Sequence, residues 1–299
     1  MSPKCRIAIA IPCHNSEREL HQVVSRAFDY AVDVKLFAVD SGSTDSTWDI
    51  LEELHREGKL AGIARCELGR SNALNAAAAL ALESEWSPEL IMFLHSDTLV
   101  PRGYDQAART IMQRPGVALG HFRFQWEGVE NNPAMQFNQW YVNQRCSWVK
   151  LPWGDQAFVV ARKTFESVGG FPAIPIMEDT AFLLACEKLG TTECTGLTIS
   201  TRPAKLLEAG VHWGCLRQMV RNHVFTVCWL IGFVTSTQIY SRYYKGRASL
   251  VGQARPPYVR YPGAFWSASY GFKDFRMRFG FHDFACMPVE DKAALLSCL

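Results

Sequence analysis

Leu90-Ile91-Met92-Phe93-Leu94-His95-Ser96-Asp97-Thr98 is the stretch that decides how this chain is read. Five apolar residues end abruptly in His-Ser-Asp-Thr, and Pro101 follows. The run is too short to cross a bilayer, and an unbroken apolar strand is what a sheet covered on both faces needs. It therefore predicts a buried strand of a mostly parallel sheet. The polar end then lies at the carboxyl edge of that sheet, where open α/β sheets bind ligands. On this stretch alone Asp97 has two readings: a ligand-facing carboxylate at the edge, or the cap of a helix beginning near Pro101.

The preceding residues repeat the pattern. Ile7 to Pro12 predicts a first strand, stopped by proline. Ser16 and Glu19 have the spacing of a capping box, opening a helix to about Tyr30. Val34 to Val39 predicts a second strand ending in Asp40, and the cap-rich Ser41–Thr47 turn leads into a helix from Trp48 to about Gly58. Leu60 to Cys66 predicts a third strand. Gly69-Arg70-Ser71-Asn72-Ala73-Leu74-Asn75 then enters an alanine-rich helix, Ala76 to about Glu83. Strand and helix alternate four times, which predicts an α/β fold with a doubly wound, mostly parallel sheet flanked by helices. Carboxyl ends converge in such a sheet, so Asp40 and Asp97 should share one cleft. No Gly-x-Gly-x-x-Gly fingerprint and no phosphate loop with Gly-Lys-Ser/Thr is present. Hydride transfer and P-loop ATP hydrolysis lose weight accordingly. A nucleotide site that holds its diphosphate through a divalent metal on a carboxylate remains.

Composition sets outer bounds. The 299 residues, 48% hydrophobic and 20% charged, suffice for one large or two small α/β domains. A net charge of +2 leaves no overall footprint for nucleic acid. Ten scattered cysteines without a C-x-x-C pair signal neither a zinc ribbon nor a thioredoxin motif. Met1-Ser2-Pro3-Lys4-Cys5-Arg6 runs straight into a strand-like segment and no N-x-Ser/Thr sequon occurs, so a cytoplasmic setting with reduced thiols is expected.

Taken together, Ile11-Pro12 with Asn15, Val39-Asp40-Ser41-Gly42-Ser43-Thr44-Asp45, Gly69-Arg70 with Asn75, and Leu94-His95-Ser96-Asp97-Thr98 resemble family-two glycosyltransferases of the GT-A fold. A subgroup whose metal motif reads His-Ala-Asp-Thr is the nearest likeness. Pro152-Trp153-Gly154-Asp155-Gln156, Gly169-Gly170-Phe171-Pro172 and Met177-Glu178-Asp179 continue it, over roughly residues 6 to 244. The resemblance implies an inverting transfer of a sugar from a nucleotide-diphosphate donor to a hydroxyl acceptor. Pro12, Asn15 and Asp40 would line the nucleoside, with Gly69, Arg70 and Asn75 along the nucleotide sugar. Asp97 would hold Mg²⁺ or Mn²⁺ against the diphosphate; His95 stands where the general family has a first Asp, and His212 is a further candidate ligand. Asp179 would be the general base, Glu178 the second choice, and Asp155 and Gln156 would face donor sugar and acceptor. Two acids opening a helix, predicted from Thr180 to about Leu189, would also be stabilised by its macrodipole whatever their job.

The expected architecture is a GT-A domain over 1–214, an amphipathic helical segment over 215–245 and an aromatic, basic extension over 246–299 packing on the domain. Trp126 to Lys150 reads as loops without a legible code, and Trp148 to Gly154 as an aromatic loop. Arg202 has the two readings of phosphate contact and surface arginine. Leu216 to Tyr244 predicts one long helical stretch whose Val224–Val234 run is too short to span a membrane and packs on the domain or rests on a bilayer surface, as a lipid-linked acceptor would favour. A non-catalytic binding protein on the same fold is the alternative. A nucleotidyltransferase ranks lower, because Cys13-His14-Asn15-Ser16 replaces its phosphate loop.

Overall fold

The structure, a computed structural model, describes residues 5–203 and 213–243. The elements run β1 (Ile7–Cys13), α1 (Leu20–Asp29), β2 (Val34–Asp40), α2 (Thr47–Arg56), β3 (Gly62–Arg65), α3 (Arg70–Leu82), β4 (Leu90–Phe93), β5 (Thr98–Leu99), α4 (Tyr104–Met112), β6 (Val117–Trp126), α5 (Pro133–Val149), β7 (Phe158–Ala161), α6 (Arg162–Val168), α7 (Glu178–Cys186), β8 (Thr191–Thr201), α8 (Trp213–Leu230) and α9 (Ser236–Tyr243). The strands form one sheet in the order β3-β2-β1-β4-β7-β6-β8-β5. The first four run parallel, as does β6 with β8; β4–β7, β7–β6 and β8–β5 are antiparallel. The predicted sheet is therefore present, with its second half mixed.

Alternation along the central strands divides the core, because successive side chains point to opposite faces. Ile7, Ile9, Ile11, Met92 and Val159 pack with Val23, Leu51, Leu54 and Tyr104. Ala10, Val39, Ile91, Phe93 and Val160 pack with Ala73, Ala77, Phe165 and Phe182 on the other face. Phe93 is the hub of that second layer, with ring centroids 4.8 Å from Phe171, 5.6 Å from Phe165 and 5.9 Å from Phe182.

Several expectations need correction. Ser16 and Glu19 make no capping box: α1 starts at Leu20 without a side-chain cap, and the Ser16 hydroxyl instead meets the Ser96 hydroxyl at 2.7 Å. That bond ties the loop after β1 to the loop after β4. Asp97 caps no helix, since Gly103 precedes α4. Helix α3 starts at Arg70, six residues before the alanine run, and α7 starts at Glu178. Trp126 to Lys150 is largely helix: Asn132 caps α5 through Met135 N, and Pro133 occupies its first turn. Trp148 belongs to α5 and not to a loop. The single long carboxyl-terminal helix is two, α8 and α9, separated at Gly232, whose φ of 74° favours glycine. Their apolar residues Phe225, Cys228, Val234 and Ile239 are buried together against Ile176 and Met177, so this segment packs on the domain. Residues 246–299 lie outside the described residues.

Candidate active site

The edge predicted from Asp40 and Asp97 exists. Register pairs Cys13 with Asp40, Asp40 with Arg65 and Ala10 with Phe93, so β1, β2 and β3 end at one level and β4 ends on the same edge opposite Ala10, before the end of β1. At the β2 side, Asp40 is buried and its Oδ1 accepts from Ser43 N (3.1 Å) and Ser43 Oγ (2.5 Å). Its Oδ2 lies 4.0 Å from Arg65 Nε, and the Arg65 guanidinium covers the Trp48 ring at 4.1 Å. Asn15 accepts from Thr44 N at 2.8 Å, and its own N–H donates to Ser43 Oγ at 2.8 Å. Asp40 and Asn15 thus stitch two loops together beside half-buried Pro12.

A second cluster sits over the ends of α3, β4 and α7. Gly69 has φ 146° and turns the chain into α3, so that Arg70 occupies the first helical position. Arg70 Nε lies 3.0 Å from Glu178 Oε1, and its Nη2 lies 3.7 Å from Asp179 Oδ2. The same Nη2 is 3.0 Å from His95 Nε2. An arginine can only donate, so His95 presents its Nε2 lone pair to Arg70, the lone pair a metal at that atom would need. Gly154 N donates to Asp179 Oδ2 at 2.9 Å. A Cβ on Gly154 would stand 2.8 Å from Arg70 Nη2 and 3.3 Å from both Asp179 Cβ and His95 Nε2. Arg70, His95, Gly154, Glu178 and Asp179, spread over more than a hundred residues, therefore share one small volume.

Asp155 follows in a turn of 3₁₀ helix, Gly154–Gln156. Its Oδ1 is enclosed without a hydrogen-bond partner, and burial raises its carboxyl to about 6, with Asp179 and Asp97 raising it further and Arg145 and Arg70 pulling it down. Burial likewise raises Glu178 to about 7, with Arg70 opposing. Acids displaced by burial together with specific charged neighbours are candidates for a functional site.

Asp97 is half-buried, and its Oδ1 accepts from the Thr98 hydroxyl at 3.2 Å. No group of three or more His, Cys, Asp or Glu side chains is arranged around a metal position among the described residues. A hard divalent cation held mainly through one carboxylate, with phosphate oxygens and water completing its shell, suits such a donor set, as Mg²⁺ characteristically binds. His212 lies outside the described residues.

Three residues with an expected ligand contact are engaged elsewhere. Gln156 is fully buried: Nε2 donates to Phe122 O (3.0 Å) and Oε1 accepts from Trp153 N (3.2 Å), so its amide shapes the loop and does not reach the cleft. Asn75 grips the Phe171 backbone, donating to its O and accepting from its N, both at 2.8 Å. Arg202 pairs with Glu127 at 2.9 Å. The residue that sequence reading missed is Arg145, a buried cation behind the Leu151–Gln156 loop; a charged residue inside a helix of indistinct pattern gave no signal.

No curated protein matches the chain. Among solved structures, the mannosyltransferase PcManGT from Pyrobaculum calidifontis, in complex with GDP-Man and Mn²⁺, is 17% identical, with 85% of this chain and 77% of that chain covered and a TM-score of 0.53. S. aureus TarS (fragment 1–349) is 15% identical, with 82% and 72% covered and a TM-score of 0.50. At such identities the likeness establishes the fold, which is GT-A. The family described as "Glycosyl transferase family 2" matches residues 8–174, more than half the chain and every site strand up to β7. The chain belongs to glycosyl transferase family 2.

Proposed function

We propose that the protein moves a sugar from a nucleotide-diphosphate donor to a hydroxyl acceptor in one inverting displacement. The convergence of Arg70, Asp155, Glu178 and Asp179 around Gly154 at the carboxyl edge of the sheet, with Asp97 on the adjoining loop, carries the reading. Asp179 Oδ2 is the base. It takes the acceptor hydroxyl's proton while that oxygen attacks the anomeric carbon from the face opposite the leaving diphosphate. Arg70 is a cation shared by Glu178 and Asp179, and its charge offsets the repulsion between the two carboxylates. Glu178, deeper and displaced to about 7, is the second choice for the base. Asp40, Pro12 and Asn15 shape the nucleoside side of the cleft. Asp97 would hold Mg²⁺ or Mn²⁺, which when bound offsets charge on the departing diphosphate.

The acceptor surface is proposed on α5. Phe137, Trp140 and Trp148 are exposed there, with ring centroids 5.7 Å and 6.2 Å apart in sequence. Aromatic rings of this kind suit the interface of a bilayer carrying a lipid-linked acceptor. No helix among the described residues is long and apolar enough to cross a membrane. The described cysteines are free, in keeping with a reducing, cytoplasmic setting.

The test is thermal stabilisation by UDP, GDP, ADP, CDP and TDP, each with and without Mn²⁺, on wild type and Asp97→Ala. At a hundredfold excess over its dissociation constant a ligand adds about 2.7 kcal/mol. One diphosphate should stabilise the wild type only with metal, and Asp97→Ala should lose that effect. Asp179→Asn should keep binding and lose sugar transfer. Binding in both forms with no transfer by the wild type would favour the non-catalytic alternative; no binding at all would sink the donor assignment.

A further inference from the structure

Arg145 lies on the buried side of α5, and the chain doubles back over it. Lys150, just past the helix, has φ 50°, and this left-handed turn reverses the chain so that Leu151 to Gln156 passes across the guanidinium. Three contacts fix the crossing. Arg145 Nε donates to Leu151 O at 3.0 Å, and Nη2 donates to Gln156 Oε1 at 3.4 Å. The guanidinium carbon stands 3.5 Å from the centroid of the Trp153 ring. One planar cation thus touches the beginning, middle and end of a six-residue loop.

That loop is the one that presents the acids. Gly154 N holds Asp179 Oδ2, and Asp155 carries the enclosed, unpartnered carboxylate oxygen. Arg145 has a matching defect: its Nη1 is buried with no hydrogen-bond partner. A guanidinium is costly to bury, and a fold that needed only packing here would be better served by an apolar side chain. Arg145 is also the positive charge that acts most strongly on Asp155, opposing the effect of burial.

We propose that Arg145 is a positioning residue of the transfer site: its fork clamps the 151–156 loop, sets Gly154 against Asp179, and supplies the counter-charge that Asp155 lacks in direct contact. The clamp stands on the geometry alone, whereas its importance for transfer rests on the function proposed above. Arginine is required because the role uses a flat ring-stacking face and two donors at fixed spacing, which a lysine ammonium does not offer.

The experiment compares full-length wild type with Arg145→Lys and Arg145→Met. Amide hydrogen exchange, read by mass spectrometry on peptides covering 151–157, needs no substrate. Both variants should exchange faster there by about tenfold or more, with β1, β2 and β4 unchanged and cooperative melting retained. Unchanged exchange at 151–157 overturns the clamp, and so does a uniform rise across all strands, which would mean a general packing role. The second measurement uses the nucleoside diphosphate that stabilises the wild type with Mn²⁺ and the corresponding sugar nucleotide. Diphosphate affinity should stay within about threefold while kcat for sugar release falls on the order of a hundredfold in both variants, the cost of a small misplacement of reacting groups. A lysine variant that turns over like wild type would overturn the requirement for the fork. If the wild type binds no nucleoside diphosphate, the donor assignment fails instead, and the exchange result still decides the clamp.

Discussion

Asp155 and Glu178 keep carboxyl groups where water is scarce, and this gives the site a pH signature. Their folded values, about 6 and about 7, lie above the ordinary 3.8 and 4.5. A raised carboxyl binds its proton more tightly in the folded state, so its stabilising contribution is full below the unfolded value. It is lost as pH rises through the folded value. Activity runs the other way, since protonated Asp155 adds no negative charge beside Arg70 and the diphosphate's metal, and protonated Glu178, the second choice for the base, cannot accept a further proton. Turnover should therefore climb between about pH 5 and 7 while thermal stability declines across the same window. Asp155→Asn should be more stable than wild type at pH 8, by about 3 kcal/mol at most, and so melt higher, with transfer lost. A lower melting point for Asp155→Asn at pH 8 would contradict the burial argument. At this scale the chemistry was legible in part. Asp97, Asp179, Glu178, Asp155 and Arg70 stand in motifs that can be quoted. Gln156 and Asn75 stand in the same motifs, yet their amides face the backbone of Phe122 and Phe171. Residue type and spacing do not say which way an amide turns.

Helices were read well where their apolar residues recur on one face and poorly where they do not. Helix α5 shows why. Its buried positions include Asn138 and Arg145, while Phe137, Trp140 and Trp148 are exposed. Asn143 closes both hydrogen bonds of the Phe124 backbone and Gln139 accepts from Trp126 N, so polar side chains hold α5 to β6. A helix that buries Asn138 and Arg145 among Met135, Val142 and Cys146 and exposes its rings has apolar residues on both faces and no amphipathic stripe to detect. In α3 a polar clamp is added to apolar packing by Ala73, Leu74, Ala77 and Ala78. Asn75 is its tie to the Gly169–Phe171 turn, through two bonds of 2.8 Å. Asn75→Ala removes both and leaves the Phe171 N–H and O to find other partners. It should cost about 1–3 kcal/mol in chemical denaturation. Because the same turn leads toward α7, diphosphate binding should survive better than turnover. A variant of unchanged stability would show that the turn does not need this helix.

Across the whole molecule, the two halves of the sheet meet where β4 lies between β1 and β7. Phe93 is the last residue of β4, packed on Phe165, Phe171 and Phe182 only two positions before His95. This aromatic layer joins the parallel half, which carries Asp40 and Asp97, to α7, which carries Glu178 and Asp179. Phe93→Ala should destabilise the fold by about 3–5 kcal/mol, measured by urea denaturation, since a ring lost from a close-packed layer leaves a cavity. A cost below about 1 kcal/mol would mean the halves are held elsewhere. The sequence by itself determined the parallel half of the sheet, its carboxyl edge and the acids at that edge. Short apolar runs, prolines and turn residues encode those features locally, and parallel strands leave few other places for their ends. Only the tertiary structure decided that β6, β7 and β8 complete the sheet in mixed directions, that α5 is a helix, and that Arg70 joins His95, Glu178 and Asp179 around Gly154. Those outcomes depend on contacts between residues far apart in the chain, whose energies no local pattern contains.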